Sequence, residues 1–154
     1  MGISYVDSIV VYNRYVTTLM EKEQYFGTRF DNVRIELTQG ANQKASGMEN
    51  ASVCVAKIPK ADLPKPYKAP EVWKKLTTVE MLESFTLDKD NSNFFVIVKK
   101  EGLGIDIDVP VGLVNGDDYS GGFFGYIKGK YGYTFAISTV DVYDLIPRFE
   151  IGGK

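Results

Sequence analysis

Asn93-Phe94-Phe95-Val96-Ile97-Val98-Lys99 is an almost unbroken run of aromatic and β-branched side chains, preceded by the polar turn Asp88-Lys89-Asp90-Asn91-Ser92. Branched and ring side chains suit extended backbone, where they pack on a pleated surface without the crowding they meet against a preceding helical turn. This run is the clearest strand in the chain and is expected to be central. Downstream, Tyr131 to Asp141 and Arg148-Phe149-Glu150-Ile151 have the same character, and Gly152-Gly153-Lys154 ends the sequence. Upstream lie Ser8 to Tyr15, Gln24 to Phe30, and Asp31-Asn32-Val33-Arg34-Ile35-Glu36-Leu37. The last alternates strictly, with Val33, Ile35 and Leu37 on the inward face and Arg34 and Glu36 on the outward one. A further strand is expected over 51–58, stopped by Pro59.

The remaining segments are connections. Residues 59–70 carry four prolines, which remove ladder donors and fix φ, so an extended crossing is expected there. A short helix is expected from Pro70 to Leu76, with proline in its first turn. A second starts at Thr77 or Thr78, where Thr77 and Glu80 have the spacing of a capping box. Residues 39–50 are small and polar around Gly40 and Gly47, and residues 101–130 are acidic, then aromatic, with many glycines. Both are expected to be long loops. With 13% aromatic residues and fifteen glycines, and neither a repeat nor a linker, residues 1–154 form one mostly-β domain. A single β-barrel or β-sandwich with one or two short helices and long loops is expected.

A chain of 154 residues buries roughly 70% of its unfolded surface and needs no disulfide or metal to fold. The absence of histidine excludes Ser-His-Asp and Cys-His nucleophile systems and imidazole zinc sites. Cys54, the only cysteine, lies among small apolar residues and is expected to be a buried hydrophobe. It allows no internal disulfide, which suits a cytosolic site of synthesis. No run reaches the ~18 apolar residues of a membrane span, and the start lacks a basic leader region, so neither membrane insertion nor export is expected. The net charge of −2 argues against general nucleic-acid binding.

The charge is unevenly spread, however. Six lysines, among them Lys60, Lys65 and Lys68, stand between 57 and 75 against Asp62 and Glu71. From 101 to 118 there are Glu101, Asp106, Asp108, Asp117 and Asp118 and no base. These are either two solvated loops or two patches that meet across subunits. Asp106-Ile107-Asp108 with Asn115-Gly116-Asp117-Asp118 supplies hard oxygen donors, but the spacing is not that of a twelve-residue calcium loop. Gly121-Gly122-Phe123-Phe124-Gly125 and Gly129-Lys130-Tyr131-Gly132 do not match a phosphate-cradling motif. No catalytic set stands out, so neither enzymatic activity nor a cofactor is expected.

Taken together, the strand around Ile9 to Tyr15, the strand ending in Ile58-Pro59, Trp73, Phe85-Thr86-Leu87, Phe94 to Lys99, Thr139-Val140-Asp141 and Arg148 to Gly153 resemble a family of small phage and prophage proteins of Gram-positive hosts. That family is similar to the "minor capsid protein" group encoded between head and tail genes of long-tailed phages. Two features depart from its pattern. Phe26 and Phe30 stand where the family usually has a tryptophan, and the stretch from Gly104 to Gly132 is longer. The resemblance implies a virion location, in the neck or tail. It implies a stopper-like, head-completion β-barrel, assembled as a homo-oligomeric ring of six or twelve copies with portal, adaptor and tail proteins. DNA would pass through such a ring without sequence-specific binding. A tail terminator or other tail component is the alternative in the same class, and a non-catalytic β-barrel ligand-binding module the alternative outside it. Asp106, Asp108, Asp117, Asp118, Lys60, Lys65, Lys68, Tyr119, Phe123 and Phe124 are the expected subunit or lumen contacts.

Overall fold

The computed structural model describes residues 5–38 and 53–154. In chain order the elements are β1 (Asp7–Val16), β2 (Glu23–Leu37), β3 (Cys54–Pro59), α1 (Pro70–Trp73), α2 (Thr78–Leu82), β4 (Phe94–Lys100), β5 (Ile105–Asp106), β6 (Gly112–Asn115), α3 (Phe123–Tyr131), β7 (Thr134–Tyr143) and β8 (Arg148–Gly153). The fold is mostly β, as the composition implied. Neighbouring strands pair antiparallel in the order β1-β2-β3-β8-β7-β4, and β4 pairs back onto β1. The ladder therefore closes into a barrel-like ring of six strands, which leaves no open edge along that path.

Side-chain parity follows from closure. One apolar cluster takes Ile9 and Val11 from β1, Val33 and Ile35 from β2, Cys54, Ala56 and Ile58 from β3, Phe95 and Ile97 from β4, Phe135 and Ile137 from β7, and Phe149 and Ile151 from β8. Every strand of the ring contributes alternate residues, so this cluster is the barrel interior. The opposite parity of β1, β2 and β4 (Val10, Tyr12, Tyr25, Phe94, Val96 and Val98) packs outside the ring against Val114, Phe123 and Ile127. β1 and β4 are thus buried on both faces, which explains why their sequences run apolar without alternation. The interior leaves no slack where strands cross closely. A Cβ on Gly153 would stand 2.6 Å from the Cβ of Phe135.

Gln24 to Phe30 and Asp31 to Leu37, two strands in the sequence reading, are one strand of 15 residues. The polar pair between them is a bulge. The register against β1 shifts there, and Asn32 takes a positive φ of 59°. A short amide side chain tolerates that backbone, and the bulge bends β2 away from β1 and onto β3. The proline-rich crossing from Lys60 leads to α1, shorter than the helix expected to Leu76. Thr77 and Glu80 close the capping box at the start of α2. Trp73 and Met81 then bury against Phe26.

The largest departure concerns 101–130, expected as one long loop. It contains β5, β6 and the nine-residue α3. Phe123 and Ile127, four apart and hence on one helical face, are fully buried against the outside of the ring. The aromatic residues of this segment are core material, and their burial outweighs the glycines that made it resemble a loop. The expected loop at 39–50, and the start of the strand expected from 51, lie outside the described residues.

Candidate functional site

The acidic segment lies on the surface beside the second core. Ile105, Ile107 and Val109 pack inward, while Asp106 and Asp108 alternate outward and are exposed. Asp117 and Asp118 follow on an exposed 3₁₀ turn after β6. Asp108 has one distant cationic neighbour, the Arg29 guanidinium at 3.9 Å. Arg29 itself is closer to Asp31, at 3.0 Å. Asp106, Asp117 and Asp118 make no salt bridge among the described residues.

The lysines expected to face these acids do not meet them within the chain. Lys57 pairs with Glu36 at 3.3 Å. Lys60 pairs with Asp144 at 3.3 Å and lies over the Phe149 ring, 5.1 Å from its centroid. Lys65 reaches the Thr28 hydroxyl at 3.4 Å and is partly buried, which lowers its pKa. Lys68 is exposed. The two charged stretches are thus separate surfaces.

Of the aromatic members of the expected contact set, Phe123 is placed differently from the expectation, while Tyr119 and Phe124 are half-buried. Phe123 is fully buried, edge-on to Tyr12 at 4.9 Å, and so presents nothing to a neighbour. Phe124 packs edge-on against Phe94 at 4.9 Å, and the Lys128 ammonium lies over its ring, 5.7 Å from the centroid. Tyr119 is half-buried between Phe123 and Tyr126. Each such ring pair adds about 0.5–1.5 kcal/mol beyond its buried area. Tyr12 donates its hydroxyl to the Pro110 carbonyl at 2.5 Å, and burial pushes that phenol far above its usual pKa. Cys54 is buried in the barrel, where desolvation pushes its thiol up to about 12. It is an inert packing residue there.

Two features escaped the sequence reading. The first is the tip of the β7–β8 hairpin, Asp144-Leu145-Ile146-Pro147, where Leu145 is 98% exposed and Ile146 66%. An apolar pair where polar turn residues usually stand was the available signal. The second is a groove of about 810 Å³ between the end of β1, α1 and the 86–93 segment, lined by Arg14, Tyr15, Val16, Pro70, Trp73 and Lys75 among others. Two buried polar side-chain atoms among the described residues have no hydrogen-bond partner, Trp73 Nε1 and Thr86 Oγ1, and both residues line this groove. No three His, Cys, Asp or Glu side chains cluster as metal ligands among the described residues. Nor is any described helix long and apolar enough to cross a membrane.

Residues 5–154 match a family of unknown function, DUF6751. The chain belongs to that family. The match takes in the whole closed ring, the outer core under α3 and the groove at Trp73, so the features above sit within the DUF6751 unit. No curated protein matches this DUF6751 chain, and no solved structure does.

Proposed function

We propose that this DUF6751 protein is a structural, non-catalytic virion protein of a long-tailed phage. In this reading it is a subunit of a homo-oligomeric ring of six or twelve copies in the neck, between portal or adaptor and tail. The observation that carries the reading is the exposed acidic segment beside the barrel, in which Asp108 alone has a cationic neighbour, Arg29 at 3.9 Å, among the described residues. Asp106, Asp117 and Asp118 stand in solvent without a salt bridge among the described residues, while Lys57 and Lys60 are engaged by other acids of the chain. Negative charge facing a channel repels DNA phosphates and lets the duplex slide, because phosphate attraction is what would hold it. The resemblance of the strands to head–tail connection proteins supports the same reading.

The aromatic residues favour assembly over ligand binding. A binding module would turn Tyr119, Phe123, Phe124, Tyr126, Tyr131 and Tyr133 toward a deep pocket. Instead Tyr119, Phe123, Tyr126 and Tyr131 pack on the barrel's outer core, Phe124 lines a cavity beside Tyr25 and Phe94, and Tyr133 is exposed. Exposed apolar side chains also stand at the hairpin tips. Such exposed apolar groups suit contacts between subunits.

The test is a phage carrying a deletion of this gene. The neck reading predicts DNA-filled heads and separate, normal-length tails that fail to join, with joining restored by the gene in trans. Tails of uncontrolled length would favour the terminator reading. Joined, infectious particles would overturn the virion assignment.

A further inference from the structure

The groove between the end of β1, α1 and the 86–93 segment has a volume of about 810 Å³. That lies within the range of small-molecule sites, about 300–1,000 Å³. Its walls carry three bases, Arg14, Lys74 and Lys75, and three acids, Glu71, Asp88 and Asp90. An anion such as phosphate would meet the acids, and a cation would meet the bases. An apolar segment would take water from all six and give nothing back, which is costly for charged groups. The lining therefore favours a neutral ligand that both donates and accepts hydrogen bonds.

The polar groups of the walls are held in place. Lys74 pairs with Glu71 at 2.8 Å, and Arg14 with Glu23 at 2.6 Å. The Arg14 guanidinium donates to Asn91 Oδ1 at 3.2 Å, and Asn91 Nδ2 donates to the Arg14 carbonyl at 2.6 Å. Asp88 accepts from the Asp90 N–H at 2.9 Å. Groups fixed in this way lose little freedom when a ligand arrives. Tyr15 and Pro70, both half-buried, add apolar surface beside them.

The floor has the same chemistry. Trp73 and Thr86 are each 2% exposed, and Trp73 packs on Phe26 and Tyr15, so its ring is no stacking platform. Its Nε1–H and the Thr86 hydroxyl nevertheless lack a hydrogen-bond partner among the described residues. An unmatched donor beside an unmatched hydroxyl is served by a group that can both give and take a proton, as a hydroxyl does and an apolar side chain does not.

We infer that this groove binds a neutral saccharide. Sugar hydroxyls donate to the acids and accept from the bases, and the C–H face of a sugar ring lies on Tyr15 and Pro70. The groove includes none of the residues expected as subunit or lumen contacts, so the inference goes beyond the ring reading and stands apart from it.

Trp73 is the only tryptophan in the chain, so its indole N–H gives a single resonance that reports on the groove. The test titrates the nitrogen-15-labelled chain with glucose, galactose, mannose and N-acetylglucosamine, and with maltotriose, cellotriose and tri-N-acetylchitotriose. At least one sugar should move that resonance saturably at millimolar concentration, and equally at low and high salt. Asp90→Ala with Lys75→Ala, both at exposed positions, should keep the circular dichroism of the parent and weaken the binding about fivefold or more, the loss of at least one hydrogen bond. Tighter binding of a trisaccharide than of its monosaccharide identifies a glycan chain as the source of the ligand, and equal binding a free sugar. A resonance that no sugar moves overturns the inference. So does one that inorganic phosphate moves instead, or a sugar response that the double variant leaves unchanged.

Discussion

Asn13 faces the barrel interior near the end of β1 and holds the 84–87 segment in place. Its amide donates to the Thr86 carbonyl at 2.6 Å and to Asn93 Oδ1 at 2.8 Å, and it accepts from the Thr86 N–H at 3.1 Å. All three groups are buried, so removing the amide strands them without water. Asn13→Ala should cost about 2–3 kcal/mol in urea unfolding, more than a surface change of the same size. Gly153→Ala tests packing in the same way. Its Cβ would press on Phe135 and Phe95, and overpacking of this kind costs about 1–3 kcal/mol. Two surface carboxylates supply a pH dependence. The Ser8 hydroxyl and Arg29 hold Asp31 below its usual range, and Arg34 and Lys57 do the same for Glu36. Depressed carboxylates stabilise the fold above their unfolded pKa, about 4, and lose that contribution as the pH falls through the folded value. Both are well exposed, so the effect is small, about 0.2–1 kcal/mol each. Asp31→Asn with Glu36→Gln should flatten the fall in the urea midpoint between neutral pH and pH 3. An unchanged slope would assign acid sensitivity to other groups.

At the level of elements, α3 is where sequence and structure part most clearly. Gly125 and Gly129 inside the helix each cost about 1 kcal/mol in propensity relative to alanine. That is why the segment resembled a flexible loop. The signal against it was the spacing of Phe123, Ile127 and Tyr131, which places all three on one helical face. Burial of that face on Tyr12 and Phe94 outweighs the propensity. Phe123→Ala should therefore destabilise by about 3–5 kcal/mol, and replacing 101–130 by a short linker should unfold the chain. A folded, cooperative deletion variant would return the segment to the status of a loop. β4 was legible because nothing in a strand with two buried faces competes with its composition. The break between the two halves of β2 was misread because Asp31-Asn32 has the chemistry of a turn and also that of a bulge. The acidic alternation at Ile105 to Val109 was legible in the same direct way. The groove was not, since its walls come from β1, α1 and the 86–93 segment, which only the closed ring brings together.

On the scale of the whole molecule, the closed barrel, the exposed acidic surface and the apolar hairpin ends are the features that support the proposed ring subunit. Charge offers a check that is independent of the hairpins. If the acids face the lumen, assembly should be nearly insensitive to salt, while Asp106→Lys with Asp108→Lys should slow DNA exit. If they face lysines of a neighbour, assembly should weaken steeply as the Debye length shrinks toward ~8 Å at physiological ionic strength. Light scattering across a salt series distinguishes the two. The most direct measurement is electron cryomicroscopy of the phage particle itself. The expected result is a closed ring of these barrels between portal and tail, with Asp106, Asp108, Asp117 and Asp118 turned to the channel. Density for the chain in the capsid shell or at the tail tip, or its absence from purified particles, would contradict it.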